Sequence, residues 1–231
     1  MCEHFVARAA DPFRIDELWP LTERLERYGI AGFGWGAGWL DGAGRLKTHR
    51  DTRAFHDDPA RAEVGGHETT ALLVHLRRPS RLSTLGLADT QPFDDPAGRF
   101  AFSHNGDFKR HPELRDTYRA QGRIHGKADT EVGARWLEDA WRDGRDVGDL
   151  FGDLHTRFEG PANMALITRS GAAYHYAGND ENPVFTFRLG PIDVASTGIY
   201  SLDRSLFKFV VPAAADRRLV PRRTTVQLGP T

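Results

Sequence analysis

Apolar residues recur along this chain with two different periods, and the switches between them mark out its elements. Directly after Cys2, residues 3–8 read as a short strand. Pro20 stands where a first helical turn tolerates a missing N–H; Leu21, Leu25 and Tyr28 follow near one face, and Gly29 closes the helix. Residues 32–40 alternate strictly. Phe33, Trp35, Ala37 and Trp39 take one face of a strand, and Gly32, Gly34, Gly36 and Gly38 take the other. A face that bare admits close approach, by another backbone or by a ligand. Residues 70–75 are almost continuously apolar, as a buried strand requires, and 99–103 form a further strand candidate. Residues 111–121, about 129–143 and about 146–157 carry helical spacing, the middle segment with Val132, Trp136, Leu137 and Ala140 on one side. Beyond Gly160 the strand period returns at 162–168, 172–177, 184–188 and 192–196, with a short helix near Leu202 to Phe207. Strands, then helices, then strands again predict a layered α+β protein, not alternating βαβ units. No repeat or linker interrupts the pattern, so a single domain over residues 1–231 is expected.

Charge and composition narrow the classes. Lys and Arg number 31 against 32 Asp and Glu, with an isoelectric point near 6.8, a balance that argues against nucleic acid as the main partner. The first residues lack the apolar core of a signal peptide, and no apolar run approaches a membrane span. One cysteine excludes an internal disulfide, and the chain reads as cytoplasmic. The ten histidines are scattered, with no His-Glu-x-x-His, so no metal is expected.

That one cysteine follows the initiator methionine. Aminopeptidases remove Met before small residues, which would leave Cys2 with a thiol and a free α-amino group. A thiol needs a nearby base near neutral pH, and an amine of pKa roughly 8 serves on the spot. Three other segments carry polar residues that packing does not demand. His75-Leu-Arg-Arg-Pro-Ser80 ends the buried strand; Arg77 there suits a surface position or a bidentate grip on a carboxylate. Phe102-Ser-His-Asn-Gly-Asp107 reads first as a hairpin turn, yet Asn105 and Gly106 also set a side-chain amide beside an unhindered N–H, the two donors of an oxyanion hole. Gly126-Lys-Ala-Asp-Thr-Glu131 opens a helix with Asp129, which fits an N-cap, an ammonium binder, or both. Together these parts make a site for an amino-acid-like substrate with a hydrolysable γ-acyl group.

Cys2, His-x-Arg-x-x-Ser, His-Asn-Gly and Ala-Asp-Thr-Glu occur in the order and approximate spacing of the class II glutamine amidotransferase domains. The chain resembles those N-terminal-nucleophile hydrolases over residues 2 to about 210, and looks closest to small stand-alone members with an aromatic-glycine strand and a Gln-Pro-Phe segment such as Gln91-Pro-Phe93. The resemblance implies a four-layer αββα sandwich of two antiparallel sheets. It implies Cys2 as nucleophile, Asn105 and the backbone of Gly106 as oxyanion hole, Arg77 as α-carboxylate clamp, Asp129 as binder of the α-amino group, and a structural role for His75. No cofactor is implied. Two positions depart from the pattern: Ser80 replaces the usual Thr, and Gly29-Ile-Ala-Gly32 lacks the acid that stand-alone members often carry.

The leading expectation is a glutaminase subunit that supplies ammonia to a separate synthase. An alternative is a hydrolase of larger γ-glutamyl amides, and a third is a catalytically silent glutamine-sensing module. Glutamine or a γ-glutamyl amide is the expected small-molecule partner in each.

Overall fold

The computed structural model describes residues 2–199 and 205–229. Its first strand, β1 (Glu3–Arg14), runs six residues past the predicted one, and its register against β4 (Glu68–Leu76) shifts between Arg8 and Phe13. Strands β2 (Trp35–Leu40), β3 (Leu46–Asp51), β9 (Val184–Leu189), β10 (Ile192–Thr197) and β11 (Ala215–Leu219) complete a seven-stranded sheet in the order β11-β9-β10-β1-β4-β2-β3. A five-stranded sheet follows the order β12-β8-β7-β6-β5, from β5 (Phe93–Asp94), β6 (Phe100–Gly106), β7 (Ala162–Thr168), β8 (Ala173–Ala177) and β12 (Thr224–Leu228). Every pairing described is antiparallel.

Three apolar clusters fix the layers. Helices α1 (Trp19–Gly29) and α6 (Ser205–Val210) lay Leu21, Leu25, Phe207 and Val210 against Phe5, Trp35, Val74 and Val194 of the larger sheet. The predicted helix start at Leu202 lies outside the described residues. On the other side, α4 (Asp129–Ala140) and α5 (Val147–Phe158) pack Val132, Leu137, Phe151 and Leu154 on Phe100, Phe102, Met164 and Leu166 of the smaller sheet, with α3 (Pro112–Ala120) adding Tyr118. Between the sheets lie Val6, Ala71 and Leu73 with Ala101, Ala165 and Ile167. The result is the αββα sandwich. A short helix, α2 (Ala60–Gly65), was not expected.

The glycine face of β2 has a packing cause. A Cβ at Gly36 would stand 2.2 Å from the carbonyl oxygen of Gln91, and one at Gly38 would stand 3.2 Å from Cβ of Ala101. Trp35, Ala37 and Trp39 point the other way, into the helix-side core. The close partner is therefore backbone and the facing sheet, and the strand begins only at Trp35.

Candidate active site

β1 begins with Glu3, so Cys2 sits just ahead of it, at the mouth of the gap between the sheets. The neighbouring strand β4 ends at Leu76 and delivers Arg77 and Arg78 to the same edge. Cys2 Sγ accepts a hydrogen bond from the Arg78 N–H at 3.3 Å and donates one to the Arg78 carbonyl at 3.6 Å. Burial pushes the thiol above its ordinary range, while the Arg78 N–H and the nearby Arg77 guanidinium pull it back. A thiol held protonated in this way becomes a nucleophile only once a base takes its proton.

From the smaller sheet, β6 contributes its last residues. Asn105 and Gly106 are not in a hairpin turn: they pair with Asn163 and Ala162 of β7. Alternation along β6 puts Ser103 and Asn105 on one face and His104 on the other. Ser103 Oγ lies 2.8 Å from Nδ1 of His4 in β1, so the Ser103–Asn105 row faces the larger sheet. Asn105 is fully buried, and among the described residues neither its Nδ2 nor its Oδ1 has a hydrogen-bond partner. Only glycine fits next to it, because a Cβ at Gly106 would fall 1.8 Å from the Pro161 carbonyl oxygen.

Asp129 is the first residue of α4 but not its N-cap. Ala128 occupies the cap position, with φ −63° and ψ 136°, and the Asp129 carboxylate instead accepts the Phe108 N–H at 2.7 Å. The exposed donors before the helix are met by other acids. Asp89 Oδ1 accepts the N–H groups of Lys127 and Ala128, and Glu131 accepts those of His125 and Gly126. The site carboxylate is thus freed from capping.

Arg77 is buried and already engaged. Its guanidinium donates to the backbone carbonyls of Asp89 and Thr84, while its Nε has no partner. Burial lowers its pKa, opposed by Cys2 and Asp89. The arginine therefore also fastens the 79–90 loop over the site.

Cys2, Arg77, Gly106 and Asp129 line one cavity of about 480 Å³, and Asn105 stands in β6 between two of its lining residues, His104 and Gly106. Sequence reasoning missed Arg78, Asp89 and Gln91 on its wall. Gln91 fixes the floor by bonding both backbone groups of His104, through Oε1 at 2.7 Å and Nε2 at 3.0 Å, and by reaching Thr130. Its Gln-Pro-Phe context was visible, but no residue spacing pointed to that contact. A more apolar hollow of about 510 Å³ beside Ile30, Phe33 and His56 contains none of the expected site residues.

Behind the cavity, three histidines meet between the sheets. The ring centroids of His4 and His175 are 4.7 Å apart, and those of His4 and His75 are 6.3 Å apart. Among the described residues, Nε2 of His4 and both ring nitrogens of His75 lack hydrogen-bond partners. Burial holds His4 and His75 well below the usual imidazole range and takes His175 down to about 3.

Among the described residues, one group brings candidate metal-ligand atoms together: His49, Asp51 and Asp58, within 4.8 Å of one another. Arg53 already pairs with both carboxylates and supplies the positive charge there. None of the three lines the Cys2 cavity.

No protein-family model and no curated protein matches the chain. Solved structures do. An allosteric regulatory enzyme of purine biosynthesis superposes with a TM-score of 0.73 at 17% identity, over 98% of this chain and 48% of that one. The glutamine phosphoribosylpyrophosphate amidotransferase of B. subtilis gives 0.73 at 16% identity, over 98% and 49%. A glutamine aminotransferase class-II domain protein from Silicibacter pomeroyi gives 0.62 at 13% identity, over 97% and 98%. The chain thus spans about half the length of the first two and nearly all of the third.

Proposed function

We propose that this chain, whose fold is that of the class II glutamine amidotransferase domains, is an enzyme that hydrolyses a γ-glutamyl amide through a thioester on Cys2. The observation that carries this reading is the convergence of Cys2, Arg77, Gly106 and Asp129 on one cavity, with a buried amide that has no partner among the described residues, Asn105, next to Gly106 in the chain.

Removal of Met1 frees the α-amino group of Cys2, which takes the thiol proton. The sulfur adds to the γ-carbonyl carbon, and the developing oxyanion accepts hydrogen bonds from Asn105 Nδ2 and the Gly106 N–H. Collapse breaks the C–N bond; the amine or ammonia leaves with the proton. Water then cleaves the thioester, releasing glutamate and restoring the thiol. Asp129 pairs with the substrate ammonium. Arg77 takes the α-carboxylate by exchanging one of its carbonyl partners for a charged acceptor, a stronger bond.

The size of the cavity favours a leaving group larger than ammonia. About 480 Å³ falls in the range of roughly 300–1,000 Å³ that encloses drug-sized ligands, and glutamine is far smaller than those. A second reading, an ammonia-supplying subunit for a separate synthase, is favoured by the two larger neighbours, in which the matching region is about half of a longer chain. The test is glutamate release from glutamine and from a panel of γ-glutamyl amides, with no partner present. Fast turnover of bulky amides with glutamine nearly inert supports the first reading. Slow glutamine hydrolysis that a partner accelerates, with bulky amides inert, supports the second. Failure of every substrate leaves only a sensing module.

A further inference from the structure

We propose that the amine released at Cys2 carries a carboxylate, and that Arg78 and Arg81 hold it. This rests on the γ-glutamyl amide reading above and names the substrate class within it.

The wall nearest the sulfur comes from one short segment. Arg78, Pro79, Ser80, Arg81 and Ser83 all line the cavity, and both backbone groups of Arg78 touch Cys2 Sγ. The leaving nitrogen departs from a carbon bonded to that sulfur, so its substituent emerges beside this segment. The glutamyl end is served elsewhere, by Arg77 and Asp129.

Neither the Arg78 nor the Arg81 side chain has a hydrogen bond or ion pair among the described residues, although Arg78 is half-buried. Most described arginines have such partners, as Arg53 has Asp51 and Asp58, Arg99 has Asp95, Arg110 has Glu113 and Arg123 has Glu138 and Asp139; Arg27, Arg169, Arg218 and Arg223 do not, and none of those four lines this cavity. Arg78 and Arg81 are thus the arginines without a partner that line the cavity.

The charge count agrees. The lining holds Arg77, Arg78, Arg81 and Lys127 against Asp89, Asp107 and Asp129. Asp89 is turned to the backbone of Lys127 and Ala128. A γ-glutamyl group adds one charge of each sign, so the cationic excess remains for the rest of the substrate. A planar carboxylate matches the guanidinium fork. The substrate class that follows is a γ-glutamyl peptide of an amino acid. Its hydrolysis breaks the C–N bond, consumes one water and yields glutamate and the free amino acid.

The experiment compares γ-glutamylglycine with γ-glutamylglycinamide, which differ in one charge, and includes glutamine. For the wild-type protein, kcat/KM for the acid should exceed that for the amide by about tenfold, the value of one charge-assisted contact. The ratio should fall with added salt, drop in Arg81→Gln and approach one in Arg78→Gln/Arg81→Gln. Because it is a ratio, partial unfolding of a variant does not change it. Equal rates on the two substrates in the wild type, or a preference kept in the double variant, would overturn the proposal. Hydrolysis without charge preference sinks this inference alone. No glutamate from any amide, with Cys2 unlabelled by a glutamine-like diazo-ketone, sinks the parent reading and this one with it.

Discussion

Asp58 and Asn105 are both buried polar side chains, and they are held in opposite ways. Asp58 accepts from Trp35 Nε1 at 3.0 Å and from the Ala60 N–H at 3.0 Å, meets His49 Nε2 at 2.8 Å and pairs with Arg53 at 2.8 Å. Asn105, equally removed from solvent, has no partner among the described residues on either polar atom. A buried polar group left unpaired costs about 1–3 kcal/mol, so a fold keeps one where something else completes it. Asp58 belongs to the architecture; the proposed function gives Asn105 to the reaction.

The comparison sets the order of expected effects. Asp58→Ala leaves the Trp35 Nε1 and Ala60 N–H donors without their acceptor and should cost about 2–4 kcal/mol of stability, measured by urea unfolding. A loss below about 1 kcal/mol, the range of an exposed ion pair, would mean the two centres are not different in kind. Asn105→Ala should leave stability nearly unchanged and lower kcat by about a hundred- to a thousandfold, the cost of one oxyanion donor. If that variant unfolds readily but keeps its rate per folded molecule, the assignment is reversed.

Asp129→Asn comes next. Its charge acts on the substrate equally in ground and transition states, so KM should rise with kcat little changed, by about 1.5–3 kcal/mol of binding. A variant that binds as well as the wild type removes Asp129 from substrate recognition.

Acid acts on the histidines between the sheets. His4 faces His75, His104 and His175, and His75 faces Arg77 and His104; no carboxylate offsets them. Their folded pKa values lie below the ordinary 6.5, with His175 at about 3. Stability from keeping them neutral is complete above pH 6.5 and drains away as pH falls, because the unfolded chain then takes up protons the folded one refuses. Each should contribute a slope of about 1.4 kcal/mol per pH unit. Unfolding free energy measured from pH 7 to 5 should fall; a flat profile would show the imidazoles paired or hydrated.

The same contrast explains how far the chain could be read in advance. Central strands such as β4 and β7 announced themselves as apolar runs, because both their faces are buried. The strands that escaped, β3, β5, β11 and β12, stand at the four sheet edges, where Leu-Lys-Thr-His-Arg-Asp and Ala-Asp-Arg-Arg-Leu carry no burial pattern. At the site, short motifs named Cys2, Arg77, Asn105, Gly106 and Asp129, all of which the fold gathers at one edge of the sandwich. Their local settings were less legible. Asp129 was expected to cap α4, and Asn105-Gly106 to turn a hairpin; tertiary partners decide both, through Phe108 for the one and β7 for the other. Gln91 and Asp89 act through contacts across the cavity that no local pattern encodes.

The central claim is that Cys2, as the amino-terminal residue, is the nucleophile. Its most direct test is mass spectrometry of the active protein before and after treatment with a glutamine-like diazo-ketone. The expected result is a chain lacking Met1 that gains one adduct, mapped to Cys2, in step with the loss of glutamate release. A preparation that releases glutamate while retaining Met1, or that loses activity with Cys2 unmodified, would contradict it.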